Sequence, residues 1–326
     1  MEKRLKIGWL SLLLVCCLVS RAQTEQGLLP FSNRLLLNPS YAGLNKNTHV
    51  WTSLQLLSEP DKNLNHTYTL TYDTWSDRME SGLGFWFYQG LTGQVNTNTT
   101  GLGLAFTKPF DIGRDRQFIP SVSLNAHKAT KQWFVKIIDD ILDKEVEPPS
   151  PPGEEFFRYN LFRPRVGLLW SSAETEWGIA ASYTFQQSST ESENIRKQAP
   201  YHLIFHLNRK KKGKRKGLVS QPFKASPELI VLYTENLFIS RAGFKMERTG
   251  YVTGIYLQNN YSQNIHGIGG AYGWNFGNFR IHFFAGAAYS IPKNETAFFA
   301  EGSLGLRIPY VHFEEKKPWA PPRKSF

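Results

Sequence analysis

The sequence predicts an all-β fold, a membrane-spanning antiparallel β-barrel of about fourteen strands entered through a short N-terminal lead-in. Three observations predict it. From Asn47 to about Ile308 the chain alternates apolar and polar side chains over roughly ten-residue runs separated by turns. The first residues form an export signal. No stretch after that signal has the continuous apolar character of a transmembrane helix, and mean hydropathy is that of a polar chain. A strand points successive side chains to opposite faces, so a wall with lipid on one side and a polar lumen on the other needs grease only at every second residue.

The signal comes first. Lys3, Arg4 and Lys6 form a positive n-region, Ile7 to Val19 an apolar core, and Ser20-Arg21-Ala22 places small residues where a signal peptidase reads. Cleavage is expected after Ala22. An uncleaved anchor is the alternative, but the apolar run is short for the ~20 residues of a spanning helix. Leu14 and Val15, ahead of Cys16 and Cys17, lack the small residue that usually precedes a lipidated cysteine, which argues against a lipoprotein. Cleavage removes both cysteines, so a disulfide scaffold is excluded and stability must come from pairing every backbone group in a closed ladder.

Residues 23–46 are read as the lead-in, 47–313 as the barrel and 314–326 as a tail. Strands are expected near 47–58, 65–75, 81–90, 97–108, 117–127, 158–171, 175–187, 199–208, 225–235, 236–246, 250–259, 262–274, 278–290 and 296–309, the join near Glu235 having no strong turn signal. The alternation is plain where Leu102, Leu104 and Phe106 flank Gly103 and Ala105, and where Phe162, Pro164, Val166, Leu168 and Trp170 alternate with Arg163, Arg165, Gly167 and Leu169.

Two connections stand out. Lys128 to Arg158 holds Asp139, Asp140, Asp143, Glu145 and Glu147 before Pro148-Pro149-Ser150-Pro151-Pro152-Gly153, and prolines cannot donate into a ladder, so this insertion leaves the barrel. Trp133-Phe134-Val135 and Ile137-Ile138 could form a short strand extension or helix before it. The second connection is basic: Arg209, Lys210, Lys211, Lys212, Lys214, Arg215 and Lys216. Of the net charge of +11, Lys3, Arg4, Lys6 and Arg21 against Glu2 leave with the signal, and these seven cations carry nearly all the rest. A nucleic-acid binder would spread its charge along a groove with interleaved aromatics. Here it is one run, either a solvated turn or a contact for anionic headgroups or an acidic partner. If both termini are periplasmic, strand parity puts the acidic insertion outside the cell and the basic loop in the periplasm.

Aromatics are abundant, with 23 Phe, 14 Tyr and 9 Trp. Trp51, Tyr72, Trp75, Phe85, Trp86, Tyr88, Trp170, Trp177, Tyr183, Tyr233, Tyr256, Tyr272 and Trp274 lie near expected strand ends, where amphipathic rings favour the membrane interface. A soluble β-sandwich burying the same rings is the alternative. No zinc-protease, nucleophile-elbow, phosphate-loop or Cys-x-x-Cys motif occurs after the signal. His202 and His206 would share a strand face about 13 Å apart, too far for one ion. His282 and Ser303, on neighbouring strands, have a spacing compatible with nearly any barrel. No catalytic, cofactor-binding or metal-ligating residue is expected.

Phe31-Ser32-Asn33-Arg34-Leu35-Leu36-Leu37-Asn38-Pro39-Ser40-Tyr41-Ala42-Gly43 resembles the opening of the PorP/SprF family, type IX secretion system membrane proteins in which a Phe-Ser segment precedes Asn-Pro-Ala-Tyr-Ala-Gly. Ser40 stands where the family usually has Ala. Weaker matches follow in the aromatic strand 81–90, Trp177-Gly178-Ile179, Pro200-Tyr201-His202 and Gly302 to Ile308. The resemblance implies an integral outer-membrane, non-enzymatic component that assists export or surface anchoring of cargo such as adhesins, in some relatives for gliding motility. Implied partners are outer-membrane lipid, other secretion subunits and exported cargo. Nucleic acid and a small-molecule substrate are not expected. The motif residues Phe31, Ser32, Asn38, Pro39, Ser40, Tyr41, Ala42 and Gly43, with the basic loop, are the candidate interaction sites. Pro39 restricts Asn38 to extended geometry and Gly43 permits a turn. The box is therefore either a plug or docking edge with Tyr41 buried, or a simple chain-entry turn. A porin or small-solute channel is the competing function; it predicts an open, charged lumen.

Overall fold

The computed structural model describes residues 33–58, 64–92, 97–131, 158–188, 201–209, 211–212, 224–235, 237–248 and 250–309. Fourteen strands form one closed antiparallel barrel. They are β1 (Thr48–Ser58), β2 (Leu64–Ser76), β3 (Ser81–Thr92), β4 (Thr97–Thr107), β5 (Arg116–Lys131), β6 (Arg158–Ser172), β7 (Thr175–Tyr183), β8 (Tyr201–Arg209), β9 (Lys224–Thr234), β10 (Leu237–Arg248), β11 (Tyr251–Asn260), β12 (Ile265–Phe276), β13 (Phe279–Ser290) and β14 (Glu295–Ile308). Three short segments, Phe110–Asp111, Phe185–Ser188 and Lys211–Lys212, continue the registers of β4, β7 and β8 after brief interruptions. Each strand pairs with its chain neighbour, and β1 closes on β14 from Thr48 opposite Ile308 to Ser58 opposite Phe298.

The expected alternation holds in the wall. Leu102, Leu104 and Phe106 are 50%, 60% and 40% exposed on the outside, whereas Ala105 between them is buried in the lumen. Val166, Leu168, Ile255, Leu257, Ile268, Phe283 and Phe298 continue the exposed outer surface around the barrel. Inward positions carry Ser, Thr, Asn, Gln, His and paired charges, as in Thr67, Thr69 and Thr71 of β2 or Ser121, Ser123 and Asn125 of β5. No described helix is long and apolar enough to cross a membrane.

Several sequence expectations are corrected in detail. Strand β5 extends through Lys131, pairing Thr130 with Arg158, so the acidic insertion starts later than Lys128. Strand β12 begins at Ile265, three residues later than expected, because Asn260 accepts from Gln263 N and Asn264 takes φ 49° in a tight turn. The weak join at Glu235 is a true hairpin, Thr234 pairing with Leu237. Trp51, Trp86, Tyr88 and Tyr256 are not interfacial: all four point inward and are buried, packing against lumen neighbours. Tyr72, Phe85, Trp177, Tyr183, Tyr233 and Tyr272 do lie on the outer surface.

The strand ends put the acidic insertion and the basic loop at opposite ends of the barrel. The basic connection leaves Arg209 and returns at Lys224 on the end holding the lead-in and the last residues of β14. The acidic connection joins Lys131 to Arg158 at the other end. Residues 132–157, including Trp133 to Ile138, lie outside the described residues.

Candidate functional site at the plugged mouth

The lead-in folds inside the barrel. It makes one turn of α-helix, α1 (Arg34–Leu37), then two single-turn 3₁₀ helices, Pro39–Tyr41 and Leu44–Lys46, before entering β1. Asn38 is extended (φ −149°, ψ 124°), as a residue before proline prefers, and its side chain caps the first 3₁₀ turn by accepting from Ser40 N at 2.9 Å. Gly43 adopts φ 61°, where a Cβ would press on the Thr74 carbonyl at 2.5 Å. The proline and glycine therefore do locally what their sequence positions suggest.

The strands supply the partners. Asn38 Nδ2 donates to the Leu168 and Ile179 carbonyls at 3.1 and 3.2 Å and lies 3.2 Å from His206 Nε2. Tyr41 OH donates to Glu176 Oε1 at 2.6 Å, and Arg34 Nη1 reaches the same oxygen at 2.9 Å. Gly43 N donates to Asp73 Oδ2 at 3.0 Å, Thr107 Oγ1 to the Ala42 carbonyl at 3.0 Å, and Arg165 Nη1 to the Leu36 carbonyl at 2.9 Å. Leu35, Leu36 and Ala42 pack with Trp86, Tyr88 and Ala105, and Tyr41 with Ile119 and Leu169. Where the lead-in lies closest, the wall has no side chain. A Cβ at Gly82 would collide with the Ala42 carbonyl, and one at Gly167 with Asn38 Oδ1. The seat is thus polar at its rim, apolar beneath and cut back at its glycines.

Burial opposes the charge on Arg34, but Glu176, with Tyr41 and Glu228, more than offsets it, so the guanidinium holds its proton more tightly than usual. Burial and the Glu176 carboxylate push the Tyr41 phenol well above its ordinary value, so it stays a donor. Asp73, Glu176 and His206 are absent from the sequence-derived candidates. Their signal is an ionisable group at an inward strand position.

A family model described as type IX secretion system membrane protein PorP/SprF matches residues 22–310. The chain belongs to the PorP/SprF family. Among solved structures it is similar to the CymD monoaromatic hydrocarbon channel, at 8% identity over 86% of this chain and 93% of that one, with a TM-score of 0.52. The toluene transporters TodX of Pseudomonas putida and TbuX of Ralstonia pickettii are similar at 7% and 10% identity, both with TM-scores of 0.49. TodX is matched over 89% of this chain and 96% of its own, TbuX over 86% and 94%. The likeness to CymD speaks to the fold alone. No curated protein matches the chain significantly. Family and fold together make this PorP/SprF protein an integral outer-membrane protein.

In this member of the family the motif residues Asn38, Pro39, Ser40, Tyr41 and Ala42 are all buried in the mouth, and Gly43 turns the chain toward β1. Ser40, in place of the usual Ala, has its Oγ 2.8 Å from Ser121 Oγ, so the departure adds a hydrogen bond to the wall. Phe31 and Ser32 lie outside the described residues, as do Lys210, Lys214, Arg215 and Lys216. Arg209 is exposed at the end of β8, and Lys211–Lys212 pair with β9. The motif and the basic loop therefore share one end of the barrel without a described contact between them. His282 and Ser303 are directly opposite each other and both face the lumen, where the His282 ring lies tilted beside Trp51 with centroids 5.5 Å apart.

Proposed function

We propose that this protein assists the export or surface anchoring of cargo proteins, adhesins among them, by recognition and not by chemistry, with a link to gliding motility. The observation that carries the reading is the PorP/SprF match over residues 22–310, which spans both the motif and the barrel. After cleavage at Ala22 the mouth holding both termini faces the periplasm. The seated motif then shapes the mouth from within, and the mouth with the loop Arg209 to Lys216 is the face offered to cargo and to other secretion subunits. The acidic insertion faces outside. A porin would need an open lumen; the seated lead-in and the inward rings of Trp86, Tyr88, Tyr256, Phe284 and Phe299 favour the secretion reading.

The test is deletion of the gene in its own host, with quantitative proteomics of medium and cell surface, and complementation by a variant lacking Phe31 to Gly43. Loss of a defined set of exported proteins is expected. The shortened variant should assemble yet fail to restore them. An unchanged secretome with altered uptake of small solutes would replace the secretion reading with the channel.

A further inference from the structure

Beside the seated lead-in, on the β9–β14 side of the same mouth, lies a cavity of about 510 Å³. Four carboxylates stand in or near it, two of them ion-paired to a lysine or arginine. Glu176 pairs with Arg34 at 2.9 Å and Glu228 with Lys245 at 3.4 Å, Asp73 Oδ2 lies 3.1 Å from His49 Nδ1, and Glu247 stands opposite Lys224 in the ladder with no ion pair between them. Three cations of the cavity, Lys224, Arg280 and Arg307, have no ion pair among the described residues. Among the described residues no carboxylate lies within 4 Å of Arg280 or Arg307, although the charge of Glu247 reaches Arg280 from β10. Arg280 pairs with Gly305 across β13 and β14, so Arg307, two residues on, shares its inward face. Arg280 lies over the Trp51 ring at 6.0 Å and opposite Asn275, and Arg307 Nε is buried without a hydrogen-bond partner.

The geometry points to a vestibule for an acidic peptide segment, whose carboxylates Arg280 and Arg307 grip while its flank reaches Lys224. Guanidiniums bind carboxylates through paired, planar hydrogen bonds, and one resting on an aromatic face is already oriented to do so. Both arginines face the lumen, away from the lipid-contacting wall, so a lipid headgroup is not the ligand. Positive charge continues within the cavity from Arg280 and Arg307 to Lys224, which also lines it, and this suits a run of carboxylates better than a single small anion. The inference rests on the secretion reading for the source of the peptide, but its test does not.

The test uses the full chain purified in detergent, with fluorescein-labelled hexaglutamate and hexaglutamine as probes, read by anisotropy at low salt. Hexaglutamate should bind and hexaglutamine should not. R280Q/R307Q should weaken binding by about tenfold or more. R280K/R307K, which keeps the charge, should still weaken it, and heat-modifiable gel mobility reports that both variants fold. A chain with serine at the seven basic loop positions should keep its dependence on Arg280 and Arg307. Equal binding by wild type and R280Q/R307Q overturns the proposal. So does competition by inorganic phosphate or galacturonate as effective, mole for mole, as that by the peptide, which would make this a small-anion site. Binding seen only after truncation at Pro309 would make the chain's own Glu314 and Glu315 the occupants and equally overturn it. Failure here with a depleted secretome in the deletion strain would remove the vestibule and leave the secretion reading standing.

Discussion

Replacing Tyr41 with Phe removes one hydroxyl and leaves the ring in place. The lost bond, 2.6 Å to Glu176 Oε1, joins two buried groups, and a hydrogen bond to a charged partner contributes ~1.5–3 kcal/mol. Arg34 remains at 2.9 Å from the same oxygen, so the carboxylate keeps a partner and the larger penalty of a lone buried charge does not arise. At ~1.4 kcal/mol per factor of ten, the ratio of seated to released lead-in falls about 10- to 100-fold. Hydrogen exchange reads this directly. The amides of Asn38, Tyr41, Ala42 and Lys46 bond within the lead-in, to the carbonyls of Arg34, Asn38, Pro39 and Gly43, and should exchange faster by that factor. Peptides from β1 and β14 should not change. Unaltered protection across 33–46 would mean that this bond does not hold the lead-in. Lost protection across the whole barrel would mean that the lead-in and barrel are not separable units.

Gly82→Val should unseat the lead-in, since its Cβ would occupy the place of the Ala42 carbonyl; limited proteolysis should then cut within 33–46 while the barrel stays resistant. Leu104→Arg puts a cation near the middle of β4 on the lipid face and should cost ~2–4 kcal/mol in urea refolding into bilayers, a penalty absent for a polar swap at lumen-facing Ser123. Seated Tyr41 holds its proton well above the ordinary value of 10.0, whereas the released phenol titrates near it. Seating should therefore be at full strength below pH ~10 and weaken as pH rises beyond that, with Y41F abolishing the alkaline trend in exchange protection.

The wall was legible because lipid imposes a period of two that few other environments require. Strands such as β4 and β6 can be read from Leu102 to Phe106 and from Phe162 to Trp170 with no knowledge of their neighbours. The start of β12 was not, because the Asn260–Asn264 turn contains neither glycine nor proline, and only the positive φ of Asn264 marks it. Ring direction is hidden in the sequence for a different reason. Trp86 and Phe85 are adjacent and point to opposite faces, so parity says that one of them enters the lumen, but only a filled lumen gives it something to pack against. The Asn-Pro-Ser-Tyr-Ala-Gly box announced a turn and a family. Its partners did not show, because Asp73, Glu176 and His206 come from three separate strands that only barrel closure brings to one mouth.

The seat also bears on the order in which the barrel is assembled. Its polar contacts to the lead-in come from β2 and β4 to β8, and its glycine notches lie in β3, β6 and β7, all of them earlier in the chain than β9. The seam between β1 and β14 joins the parts of the barrel most distant in sequence and so closes the longest loop. A half-wall of eight strands can thus receive the lead-in while the lumen is still open along one side. The remaining strands then wrap around an occupied interior, and no segment has to thread into a finished cylinder. Cutting the covalent link at Asn47 and adding residues 23–46 as a separate peptide would consequently favour binding to the nascent barrel over the completed one.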